Sequence, residues 1–171
     1  MKKHIIKTLI PLVWVITFFM ASACTHADKK AASTASSTET SGYDSVLAAR
    51  YGADDYGMKS YIMAFLKRGP NRDRSPEEAA ALQKAHLKNI IRLAEEGKLV
   101  LAGPFADTGE VRGIYVFNVS SIEEARTLTS TDPAIQAGSL AMELRPWYGT
   151  AALMGINDLS KRLAKTSIVQ D

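Results

Sequence analysis

A chain of 171 residues, 46% of them hydrophobic, has room for one domain with a sizeable core plus appended segments, and its single cysteine excludes an internal disulfide. The net charge of +3 comes from 21 Lys and Arg against 18 Asp and Glu, yet Lys2, Lys3 and Lys7 all stand at the amino terminus. Without them the balance is 18 against 18 and no basic run remains, so the footprint that nucleic acid requires is missing and that partner class is set aside.

The chain begins as an export signal. Its three lysines precede an uncharged stretch from Leu9 to Met20, long enough for a signal core and short for a membrane span. Ala21, Ser22 and Ala23 then lead directly into Cys24, which resembles the lipobox of bacterial lipoproteins. That resemblance implies removal of residues 1–23, lipid on Cys24, and an extracytoplasmic protein held at the cell envelope by two or more acyl chains, since one chain binds only marginally. Thr25 after the cysteine resembles the pattern of lipoproteins sent to the outer membrane in a Gram-negative host. Two other readings stay open, an ordinary secretory signal cut at the Ala-x-Ala-like site and an uncleaved anchor. The second lacks a basic stop-transfer cluster.

Residues 24–57 read as a tether. The stretch to about Ser41 is rich in Ala, Ser, Thr and Lys and cannot offset its own ordering entropy. Val46, Leu47 and Tyr51 allow a short helix before Gly52 and Gly57. The domain is expected over residues 58–148, with a tail over 149–171 whose Leu153, Met154, Ile156, Leu159 and Leu163 suit an amphipathic helix covering a sheet edge or a partner.

Within the domain, Tyr61 to Leu66 is β-branched, aromatic and apolar, and the Gly69, Pro70, Asn71 cluster closes it as a strand. Ser75, Pro76 and Glu78 form a capping box with proline at the first helical position. Ala79, Leu82, His86, Ile90 and Leu93 recur on one face of the helix that follows, and Lys84, Lys88, Arg92 and Glu95 on the other. Gly97 ends it. Leu99 to Ala102 and Ile114 to Val119 predict a hairpin around the turn-rich stretch Asp107 to Gly113. Ser121 with Glu124 caps a second helix, which stops near Asp132 and Pro133, and a short helical turn follows to Gly138. Leu140 to Leu144 alternates as a last strand before Arg145, Pro146 and Trp147.

The order strand, helix, strand, strand, helix, strand predicts an α+β fold, the ferredoxin-like split βαβ, with both helices on one face of an antiparallel sheet. The other face needs a cover, either a second copy or the tail.

Ala85, His86 and Leu87, then Gly103 and Pro104, Gly113, Asp132 and Pro133, Gly138, and finally Arg145, Pro146 and Trp147 together resemble the YCII-related family from about Met58 to Trp147. The resemblance implies a dimeric α/β-barrel of two facing sheets and a pocket holding a His–Asp pair, here His86 and Asp132. Some relatives are dehalogenating or lactone-processing enzymes. The implied activity is therefore proton abstraction or elimination on a small ring compound. A carboxylate on one imidazole nitrogen fixes the tautomer and raises the basicity of the other, and such chemistry needs neither metal nor cofactor. Ala134 departs from the aromatic that relatives often carry there.

The plainer readings stand beside these. A lone histidine on an apolar helix face is often a core residue, and Asp before Pro often ends a helix. Arg145 and Trp147 are candidates to line a site for an anionic or planar ligand, against a solvated arginine and a core tryptophan. Arg68, Arg72 and Arg74 with Asp73 read as a solvated loop rather than an anion site. With His4 and His26 in the leader and tether, only His86 remains in the domain, which disfavours a histidine-rich zinc site. The alternatives to an enzyme are a small-ligand-binding module and a structural dimeric lipoprotein.

Overall fold

The computed structural model describes residues 42–169. The leader, Cys24 and the tether up to residue 41 lie outside the described residues. The elements run α1 (Ser45–Tyr51), β1 (Met58–Arg68), α2 (Pro76–Glu95), β2 (Leu99–Pro104), β3 (Val111–Phe117), α3 (Ile122–Thr129), α4 (Pro133–Gln136), β4 (Leu140–Thr150), a 3₁₀ turn (Ala151–Gly155) and α5 (Ile156–Leu163).

The sheet order is β2-β3-β1-β4 and every neighbouring pair is antiparallel. This is the split βαβ arrangement expected from the sequence. The first and last strands sit side by side, with Ile62 opposite Pro146 and Leu66 opposite Met142. Both outer strands run further than the apolar runs alone predict. β4 continues through Pro146 and Gly149, residues that usually break strands, because it lies at the sheet edge, where a missing N–H is tolerated.

Alternation divides the sheet into two faces. Ile62, Ala64 and Leu66 of β1, with Tyr115 and Phe117 of β3, meet Leu93 of α2 and Ala125 of α3 in the main core. Each large apolar side chain taken from water there contributes roughly 1.5–3 kcal/mol. The capping box of α2 forms as expected: the Glu78 amide donates to Ser75 Oγ at 3.2 Å, and the Ser75 amide donates to Glu78 Oε2 at 2.9 Å.

The opposite face carries a second cluster, in which Tyr61, Val100 and Val116 pack with Trp147, Leu153 and Met154. Leu153 and Met154 come from the 3₁₀ turn, so the tail covers one end of this face with a tight turn rather than a long helix. Helix α5 then runs beside the outer strand, where Asn157 Nδ2 donates to the Leu99 carbonyl at 2.8 Å. Its Leu159 and Leu163 stay exposed. Helix α1 forms inside the stretch read as tether, capped by the Asp44 side chain, and packs against the 3₁₀ turn. Neither contact has a local sequence signal.

Candidate functional site

Asp132 is the best-buried polar residue of the described chain, with 0% exposure. It precedes Pro133 and caps α4, accepting the Ala134 amide on Oδ1 at 2.9 Å. Its carboxylate also accepts the N–H of His86 Nδ1, at 2.9 Å to Oδ1 and 2.8 Å to Oδ2. An ionised carboxylate taken out of water costs several kcal/mol, by rough estimate, unless donors surround it. The short helix and the imidazole supply them here.

His86 lies on the inner face of α2, one turn from Leu82 and one from Ile90, and is 7% exposed. With Nδ1–H given to Asp132, the second nitrogen of the ring holds a lone pair. The Tyr115 hydroxyl reaches that nitrogen at 3.3 Å and Asp132 Oδ2 at 3.4 Å. A phenol has one proton, so it serves one acceptor at a time. Burial, then the charge of Asp132 and its hydrogen bond, push the Tyr115 phenol far above its ordinary range, which keeps it protonated. Its ring lies nearly parallel to the imidazole at 6.2 Å and meets Phe117 edge-on.

Further hydrogen bonds hold the pair in register. Thr131, next to Asp132, donates its hydroxyl to the Leu128 carbonyl at 2.7 Å, and Arg92 donates to both Asn89 Oδ1 and Thr131 Oγ1. Asn89 is one turn beyond His86 on α2. The loop that carries the carboxylate is thus tied to the helix that carries the imidazole.

His86 and Tyr115 line a cavity of about 460 Å³. Its apolar wall includes Leu66, Leu82, Leu87 and Leu140, with Ile168 also lining it. The volume lies in the range of small-molecule sites. Ala134 lines the cavity with its methyl group.

The structure brings His86 and Asp132 together and leaves Arg145 and Trp147 elsewhere. Both sit on β4 toward the opposite face of the sheet. Arg145 pairs with Glu143 and lies over the Phe65 ring at 5.6 Å, while Trp147 packs on Tyr61 at 5.7 Å. Neither lines the cavity. Their place follows from parity along the strand: Leu140, Met142 and Leu144 face the helices, so residues 143, 145 and 147 face away. The sequence reading missed Tyr115. The signal was available, since a tyrosine that alternates with Phe117 on a buried strand face needs a partner for its hydroxyl. Among the described residues no group of three or more His, Cys, Asp or Glu could hold a metal.

The pattern of the YCII-related domain matches residues 61–148, half of the chain. The chain is 36% identical over 63 residues to the "Uncharacterized protein YjpA" of Bacillus subtilis (strain 168), covering 36% of this chain and 71% of that one. It is also similar to the solved structure of 5-chloro-2-hydroxyhydroquinone dehydrochlorinase (TftG) from Burkholderia phenoliruptrix AC1100 in complex with 2,5-dihydroxybenzoquinone, at 21% identity and a TM-score of 0.38 over 50% of this chain and 92% of that one. The expectation raised by Ala85–Leu87, Asp132–Pro133 and Arg145–Trp147 is borne out, and the chain belongs to the YCII-related domain family.

Proposed function

We propose that this protein is an envelope-anchored, extracytoplasmic enzyme that needs no cofactor and moves a proton on a small ring compound or lactone through His86 and Asp132. The observation that carries the proposal is the buried carboxylate 2.8 Å from His86 Nδ1, behind an imidazole that lines the cavity. The lipobox-like residues Ala21 to Cys24 support the anchor.

The chemistry follows from the hydrogen-bond order. His86 Nε2 takes a proton from a carbon next to a carbonyl, and Asp132 stabilises the imidazolium through Nδ1–H. The Tyr115 hydroxyl yields its place at Nε2 to the substrate and turns its proton to Asp132 Oδ2. The electron pair of the broken C–H bond forms a carbon–carbon double bond as the carbonyl π pair moves onto oxygen, giving an enolate. The enolate then collapses and expels a β leaving group with its bonding pair, or is reprotonated at another carbon to give an isomer. The imidazolium returns its proton to the leaving group, to water or to the new carbon.

A second reading has its own observation. The Tyr115 hydroxyl already occupies the reactive nitrogen. In that reading the cavity binds its ligand without reaction, and the imidazole serves recognition only.

Proton exchange decides between them. The full chain is incubated in D₂O with a panel of phenols, lactones and carboxylates, and loss of substrate C–H signals is followed by NMR. The enzyme reading expects exchange or turnover with at least one compound, reduced about 10²–10⁴-fold in His86→Gln and Asp132→Asn. Compounds that bind but exchange no faster than in either variant would leave the binding reading.

A further inference from the structure

The same cavity has a charged side that the proton chemistry does not use. Arg72, Arg74 and Arg112 all line it, together with Asn71 and Gln83, and no Asp or Glu lines it among the described residues. None of the ion pairs among the described residues involves these three arginines. Asp73 and Glu78 line an adjoining shallow depression that Arg72 and Arg74 also border, and Glu78 is engaged in the helix cap.

The three guanidinium groups are fixed by backbone carbonyls. Arg74 donates to Asn71 O at 2.6 Å and to Ala137 O at 2.5 Å, Arg72 donates to Ser139 O at 3.3 Å, and Arg112 donates to Asp107 O at 3.0 Å and Gly109 O at 3.3 Å. A guanidinium has five N–H donors, so each retains several. The loop itself is held down. The Gly69 amide donates to Ser139 O and the Asn71 amide to Gly138 O, both at 2.9 Å, and Asn71 Nδ2 donates to Ala137 O at 3.1 Å. The carbonyls after α4 therefore organise the loop that follows β1, and the arginines are set in place before any ligand arrives. The loop expected to be merely solvated is a pinned wall of the cavity.

Burial orders the site from inside to outside. His86 and Tyr115 are buried at the floor, Arg74 and Arg112 are half-buried and Arg72 is exposed, with leucines between. We propose that the ligand is a ring compound bearing a carboxylate, its ring against the leucine wall above His86 and its carboxylate held by Arg72, Arg74 and Arg112. A planar, forked donor suits a planar anion, and three guanidinium groups on one wall favour an anion over a neutral or cationic ligand. This deepens the proposed function by naming the substrate class of the same cavity, and it can stand or fall apart from the catalysis.

Benzoate, its neutral isostere benzamide and inorganic phosphate serve as probes, titrated into the full chain with calorimetry and the His86 imidazole NMR signals as readouts. Benzoate is expected to bind at least about tenfold more tightly than benzamide and to shift the His86 signals. The Arg72→Gln/Arg112→Gln double variant should lose that preference about tenfold, and Arg72→Lys/Arg112→Lys should keep part of it. The lysine pair preserves charge, so its result stands even if the glutamine variant melts early. Equal binding of benzoate and benzamide, or an unchanged preference in both double variants, overturns the proposal. So does phosphate that displaces benzoate at equal concentration, because the wall would then serve tetrahedral anions. His86→Gln separates the two readings: a preference kept in that variant, with no exchange detected in any compound, supports the carboxylate site and removes the catalysis.

Discussion

The Tyr115 hydroxyl of β3 stands 3.3 Å from His86 Nε2 and 3.4 Å from Asp132 Oδ2, so its one proton is within reach of either member of the pair. Because burial raises the Tyr115 phenol, the folded chain holds this proton above pH 10, where an unfolded tyrosine releases it. The folded state then binds more protons than the unfolded one, and stability falls as pH rises from about 10 upward. Ultraviolet titration of the folded protein should therefore show the same number of ionising tyrosines in wild type and Tyr115→Phe up to pH 11. In Tyr115→Phe the alkaline loss of stability should be smaller.

Asp132 is both a cap and a partner, so its two conservative losses should differ. Asp132→Asn keeps a side-chain oxygen for the Ala134 amide and is expected to cost about 1–3 kcal/mol. Asp132→Ala loses the cap and leaves the His86 N–H buried without its acceptor, and should cost roughly 3–5 kcal/mol. Urea unfolding of both variants checks the order. Equal costs would mean that the cap contributes nothing.

Gly69 has no room for a side chain. A Cβ there would lie 2.2 Å from the Gly138 carbonyl oxygen, and backbone cannot give way as a flexible side chain does. Gly69→Ala should therefore separate the arginine loop from residues 137–139. A loss of about 1–3 kcal/mol in thermal unfolding is expected, with faster amide exchange at Asn71.

The face opposite the helices presents half-buried Phe65 and Ile114, while Met63 packs on the cluster that Leu153 and Met154 of the 3₁₀ turn join. If two copies pair through it, as the family resemblance implies, Ile114→Glu should convert a dimer to a monomer in sedimentation equilibrium. A wild type that sediments as a monomer at tens of micromolar would refute the pairing.

Cys24→Ser removes the only thiol of the chain. If the lipobox reading holds, this variant should leave the membrane fraction and lose the mass of the attached acyl chains, as read by fractionation and mass spectrometry of the protein from its host. A wild type without acyl mass would point to an ordinary secretory signal.

Local chemistry in the sequence determined the order of elements, because each of its rules acts over a few residues. Ser75, Pro76 and Glu78 announced α2, Ser121 and Glu124 announced α3, and the alternation of Leu140, Met142 and Leu144 announced β4 and its face. His86 and Asp132 were legible as a pair through the family resemblance, since 46 residues separate them and no local rule joins them. What only the tertiary structure decided depends on which surfaces meet. Pro146 and Gly149 are tolerated because β4 is an edge, and Tyr115 becomes the third member of the site because β3 lies beneath α2. Arg145 and Trp147 leave the site because strand parity turns them away, while Arg72 and Arg74 enter it because the carbonyls after α4 hold their loop against the cavity.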